Sequence, residues 1–184
     1  MVSDAEELAS GDAVEVAVAN AARKARAVWR AGPVAGEDDS AGGAAEVVSP
    51  APPARSAPVV LGVDTVVHLD GALYGKPADE SEARATLQRL AGRTHEVVSG
   101  LAVVEDGDIR TASATTRVTF RDVDVGTLDW YLATEEWRER AGGYAIQGRG
   151  AALVAGIEGD YLNVVGLPVT ALLELLPGIL QPPV

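Results

Sequence analysis

The sequence predicts an α/β fold with a mixed, partly antiparallel central sheet flanked by helices. Three observations predict it. Helical and strand-like segments both occur, but without the strict alternation of a purely parallel sheet. Asp-Gly pairs at 70–71 and 106–107 lie between apolar runs, where antiparallel hairpins turn. The chain has 184 residues and is 47% hydrophobic, enough for a single domain, 1–184, with a proper core.

The elements follow in order. Residues 12–32, DAVEVAVANAARKARAVWRAG, carry apolar residues at helical spacing, and Gly32 is placed to stop a helix. Residues 33–57 are rich in Pro, Ala, Gly, Ser and acid and keep no period, which predicts a disordered insertion. PVVLGV (58–63) suits a buried strand, and LDGALYG turns after it. ADESEARATLQRLAGR (78–93) reads as a helix that Asp79 caps, with Glu82 three residues on and Gly92 at its end. Residues 95–120 read as two long strands around Asp106-Gly107. A helix and then a broken helical piece are expected in 125–143. A strand pair around Gly159-Asp160 is expected in 151–167. A last helix is expected in 168–178, with Pro168 in its first turn. No internal repeat is visible.

Bulk properties exclude several function classes. The net charge is −12 and no basic patch is visible, which argues against a nucleic-acid partner. There is no cysteine, hence no disulfide, thiolate metal site or Cys nucleophile. No apolar run approaches the roughly 20 residues that span a bilayer. The acidic opening MVSDAEELAS lacks a signal-peptide pattern, so a cytoplasmic protein without a membrane partner is expected. Of fifteen basic residues only Lys24 and Lys76 are lysines, which singles both out.

Three places offer chemistry. Asp64 follows the apolar run VVLGV and is expected at the C-terminal end of a central strand, the edge where α/β sheets bind ligands. A carboxylate there can hold Mg²⁺ or take a proton from water, or it can simply cap a turn. Lys76 stands between Gly75, which allows close approach, and Pro77, which fixes chain direction. It can set a point charge near phosphate or be an exposed surface lysine. In AGGYAIQGRG (141–150), glycines crowd Tyr144 and Gln147. An amide donates and accepts, which suits the edge of a base and equally a turn. GALYGKP is not a P-loop: three residues, not four, precede Gly-Lys, and Pro77 stands where Ser or Thr is needed. His68 and His95 do not suggest a metal pair, and no G-x-S-x-G nucleophile motif occurs.

Taken together these residues resemble the Maf family of nucleoside triphosphate pyrophosphatases. GVDTVV, GKP, EARATLQRLAGRTHEVVSGLAVV, VTFRDV, WYLAT and RAGGYAIQGRGAALVAGIEGDYLNVVGLPV stand in that family's order and spacing. The resemblance covers about 58–176, and ANAARKARAV resembles the family's Lys-bearing first helix. It implies cleavage of a nucleoside triphosphate between the α and β phosphates, giving the monophosphate and pyrophosphate. It implies Asp64 as proton acceptor near the metal, Lys24 and Lys76 at the phosphates, and Thr65 and Gln147 in base choice. It also implies Mg²⁺ or Mn²⁺, a homodimer, and an association with septum formation. DTVV with YAIQG is similar to the branch that takes dTTP and UTP, and in some members CTP. The alternatives are a catalytically impaired nucleotide-binding regulator of cell division, or a pyrophosphatase of the 7-methyl-GTP type.

One departure stands out. The family normally opens with a strand and a loop of the form LASxSPRR, and this chain opens at MVSDAEELAS. The expectation is that the family's first, central strand and its arginines are missing. A chain so shortened should be weak or inactive.

Overall fold

The computed structural model describes residues 11–32 and 58–180. The predicted insertion at 33–57 and the acidic opening lie outside the described residues. Helix α1 (Ala13–Ala31) starts where the Asp12 carboxylate accepts from the Val14 and Glu15 amides, at 2.9 and 3.2 Å. It ends at Gly32, whose φ of 74° and N–H bond to the Trp29 carbonyl close the last turn.

Five strands form one sheet: β1 (Val59–Leu69), β2 (Ala72–Tyr74), β3 (Thr94–Glu105), β4 (Asp108–Phe120) and β5 (Val154–Glu158). Their order is β2-β1-β3-β4-β5, and each of the four pairings is antiparallel. The mixed α/β architecture expected from the sequence is therefore present. Both Asp-Gly pairs turn hairpins with positive φ at both residues, 51° and 78° at Asp70-Gly71 and 52° and 88° at Asp106-Gly107. Strand β3 is buried along most of its length, because helices cover both faces at its centre.

Alternation along the strands separates the two faces. Val66 and Val98 pack against Ala13, Val16 and Ala17 of α1. Val67, Val97, Val118 and Phe120 face the larger core, with α2 (Glu80–Leu90) and α3 (Val125–Leu132). Helix α5 (Val169–Leu175) sets Ala171 and Leu172 on Leu101 of that second face. Helix α1 lies very close to the sheet. A Cβ at Gly62 would stand 2.3 Å from the Ala21 carbonyl oxygen, and one at Gly100 would stand 2.3 Å from the Ala17 carbonyl carbon. The alanine stripe of α1 thus rests on two side-chain-free points of neighbouring strands.

The structure corrects three expectations. Asp64 is not at a strand end. It is the sixth residue of β1, which runs on through TVVHL because Thr65, Val66 and Val67 are β-branched and pair with Ser99, Val98 and Val97. The strand pair expected in 151–167 is one strand, β5, followed by a short helix, α4 (Tyr161–Val165). Asp160 caps that helix by accepting from the Leu162 amide at 2.8 Å, and Gly166 ends it with a φ of 121°. Asn163, fully buried, holds it down: its amide donates to the Val97 carbonyl and the Thr116 hydroxyl, both at 3.0 Å. Pro168 stands one position earlier than expected, at the cap of α5, where its carbonyl accepts the Leu172 amide.

Candidate active site

Asp64 points to the α1 face of β1. Its two oxygens accept from separate side chains of that helix, Asn20 at 3.0 Å and Lys24 at 2.5 Å. Asn20 and Lys24 are four residues apart, so they share one helix face. The Arg23 guanidinium donates to the Asn20 carbonyl oxygen. The close seating of α1 on Gly62 and Gly100 is what brings Lys24 to the carboxylate, since Gly100 is the register partner of Asp64.

Thr65, next in the strand, points to the opposite face. Its hydroxyl lies 2.8 Å from the Ser99 hydroxyl on β3. Both Asp64 and Thr65 nonetheless line one cavity of about 230 Å³. A cavity reaching both faces must wrap a sheet edge. Among the described residues that edge of β1 is paired only at Val67–Leu69, where β2 ends.

The chain after β2 supplies the next wall. Lys76 lines the cavity, and its ammonium donates to Glu139 at 2.9 Å. That bond holds the exposed Glu139 carboxyl below its usual range. The Gly142 amide donates to the Gly75 carbonyl at 2.9 Å and ties the two loops together. Glu139, Arg140 and Gln147 complete the polar lining, while Val67, Val97, Tyr144, Val164 and Val165 make an apolar side. The Arg140 side chain has no hydrogen bond or ion pair to another described residue.

The Tyr144 phenol is buried and meets the His95 Nε2 at 2.9 Å. Burial pushes the Tyr144 hydroxyl above its usual range and pulls the His95 ring down to about 4. The Gln147 loop is fixed from both sides. The Tyr131 hydroxyl accepts the Ala145 amide at 3.0 Å, and burial raises that phenol to about 12. The Glu136 carboxylate accepts the Arg149 amide at 2.6 Å.

All five residues singled out from the sequence, Lys24, Asp64, Thr65, Lys76 and Gln147, thus line a single cavity, and both lysines of the chain are among them. Sequence reasoning did not single out Asn20, Glu139, Arg140 or Ser99. The spacing of Asn20 and Lys24 was a usable signal. Nothing local marked Glu139, whose partner is 63 residues away.

A divalent ion can be tested against these donors. Among the described residues no three His, Cys, Asp or Glu converge. Asp64 and Glu139 are the two carboxylates on the cavity. Magnesium commonly takes one or two protein carboxylates and completes its shell with water and phosphate oxygens. The donor set therefore fits an ion that arrives with a phosphate ligand. It does not form a dedicated protein cage.

Comparison with known proteins identifies the family. The family model described as Maf-like protein matches residues 1–179. The chain is similar to the dTTP/UTP pyrophosphatase of Pyrococcus furiosus, 47% identical over 117 residues. That alignment takes in 64% of this chain and 62% of the relative. The corresponding protein of Moorella thermoacetica is 50% identical over 120 residues, again 64% and 62%. The chain therefore spans less than two thirds of the length of these relatives. The dTTP/UTP pyrophosphatase of Thermococcus gammatolerans is 38% identical over 173 residues, which is 94% of this chain and 80% of the relative. Because that family model matches nearly the whole of this chain, the chain belongs to the Maf family.

Proposed function

We propose that this protein hydrolyses nucleoside triphosphates between the α and β phosphates, acting on dTTP and UTP, and also on CTP. The observation that carries the reading is the make-up of the cavity. Three cations, Lys24, Lys76 and Arg140, share it with two carboxylates, Asp64 and Glu139, with an apolar side and with Gln147. Such a site matches a ligand with a planar base and a polyanionic tail. The activity named for the relatives supports the same reading.

The roles follow from chemistry. Water attacks the α-phosphorus, the bond to the β-phosphate's bridging oxygen breaks, and pyrophosphate leaves. Catalysis of this step is mostly positioning and charge neutralisation. Lys76 and Arg140 face the phosphates. Lys24 fixes the Asp64 rotamer and adds charge. A carboxylate oxygen has two lone pairs, so Asp64 can accept the water's proton while bonded to Lys24 and Asn20. Asp64, with Glu139 nearby, is where Mg²⁺ or Mn²⁺ would be held, and the ion would neutralise phosphate charge. Thr65 and Gln147 face the base. The same reading implies a cytoplasmic role in clearing surplus nucleotides, and a homodimer. No described helix is long and apolar enough to cross a membrane.

The test is pyrophosphate release with Mg²⁺ from dTTP, UTP, CTP, GTP and 7-methyl-GTP. The expected result is turnover of the pyrimidine nucleotides that falls by at least about 100-fold in Asp64→Asn. Turnover of 7-methyl-GTP alone would overturn the pyrimidine assignment. Nucleotide binding without turnover would favour the regulatory alternative.

A further inference from the structure

Behind Thr65 lies a chain of buried hydroxyl and amide groups that the proposed reaction does not use. Ser99 is fully buried, and its oxygen has two neighbours, the Thr65 hydroxyl at 2.8 Å and the Asn163 carbonyl at 3.4 Å. Two proton arrangements exist for this pair. If Ser99 donates to Thr65, one hydrogen bond forms and the Asn163 carbonyl keeps only the Gly166 amide. If Thr65 donates to Ser99 and Ser99 donates to Asn163, two form. A carbonyl oxygen accepts two bonds readily. Ser99 is the fully buried member of the pair, and only the second arrangement uses both its proton and its lone pairs, so that arrangement prevails.

The second arrangement has a consequence at the cavity. The Thr65 proton is turned inward to Ser99, so the Thr65 oxygen meets a ligand with its lone pairs. Gln147 cannot set this polarity. Its amide presents either a donor or an acceptor by turning over, and no hydrogen bond to another described residue fixes it.

We propose that Ser99 is a positioning residue for base choice: by taking the Thr65 proton it makes the cavity wall an acceptor, which favours pyrimidines with an N–H on the ring edge over those with a lone pair there. Uracil and thymine carry that N–H at N3, and cytosine carries a lone pair. This rests on Thr65 facing the base, as in the proposed function, and deepens it by ranking the pyrimidines. The anchoring of Asn163 by the Val97 carbonyl and the Thr116 hydroxyl keeps the end of the relay in place.

The experiment measures UMP and CMP affinity by calorimetry, because these products carry the same ring edges and are not consumed. Five proteins are compared: the unaltered chain, Ser99→Ala, Ser99→Cys, Thr65→Val and the double Thr65→Val, Ser99→Ala variant. The unaltered chain should prefer UMP. Ser99→Ala should cut the UMP/CMP preference by about fivefold to tenfold, the equivalent of one hydrogen bond. In the Thr65→Val background Ser99→Ala should leave the preference unchanged. Ser99→Cys, close in volume but a poor acceptor, should behave like Ser99→Ala and guards against a folding artefact. A purely structural role for Ser99 would weaken both nucleotides alike, and an unchanged ratio in Ser99→Ala overturns the inference. The expected ratio without pyrophosphate release would sink the enzymatic reading and keep this one. Failure to bind either nucleotide would overturn both.

Discussion

His95 illustrates how one residue couples the core to the cavity. Its ring is 1% exposed, stacks edge-on against Phe120 and Tyr144, and bonds to the Tyr144 hydroxyl. Its Nδ1 has no partner among the described residues. A neutral ring bears that easily as a lone pair, whereas a charged ring would bury an unpaired N–H. The folded ring therefore takes a proton only near pH 4, against 6.5 when free. Between those values the unfolded chain binds the extra proton. Stability is whole above about pH 6.5, falls as pH drops towards 4, and levels below it. The loss from this group is on the order of 3 kcal/mol. Urea unfolding at pH 7 and pH 4.5 should show it, and a flat profile would refute the assignment. Asn163 is the second residue whose removal should be felt. Asn163→Ala should cost about 1–3 kcal/mol by removing the two hydrogen bonds that tie α4 to the Val97 carbonyl and the Thr116 hydroxyl, read as a lower urea midpoint.

At the scale of elements, the seating of α1 on β1 and β3 decides whether Lys24 reaches Asp64. Gly100→Ala would drive a methyl into the Ala17 backbone, which cannot rotate away. The expected cost is about 1–3 kcal/mol, with a parallel loss of turnover as Lys24 withdraws. Full activity in a stable Gly100→Ala protein would show that this seating is not needed. Legibility from sequence followed the range of each signal. Both Asp-Gly hairpins, the Asp79 cap on Glu82 and the Gly32 stop are local, and the structure has all of them. Asp64 within β1 was misplaced because a charged residue reads as a break, and the helix that receives its charge lies forty residues away. Helix α4 was misread for the same reason, since its anchor Asn163 bonds to strands β3 and β4. The five singled-out residues that line the cavity were legible as types in a spaced pattern. Ser99 was not, because a serine inside a strand gains its meaning from the two residues beside it in space.

The whole molecule carries a charge of −12, yet its cavity gathers three cations against two carboxylates. A polyanionic ligand would thus be held by local charge against a repulsive background. The ion pairs on the surface, such as Arg117–Glu158 and Arg138–Glu135, are exposed and contribute little. Self-repulsion should therefore dominate the response to salt. The melting midpoint should rise between 0.01 and 0.15 M NaCl, by about 2–4 °C for each kcal/mol of repulsion screened. A falling midpoint would mean that the surface pairs matter more than the net charge.

The lysine count has a practical consequence. Apart from the chain's amino terminus, the only primary amines are those of Lys24 and Lys76, and both border the cavity. A reagent that acylates amines is then nearly site-directed without any design. Mass spectrometry of the labelled protein, with and without a nucleotide, would report occupancy of this one place against a background of a single other amine.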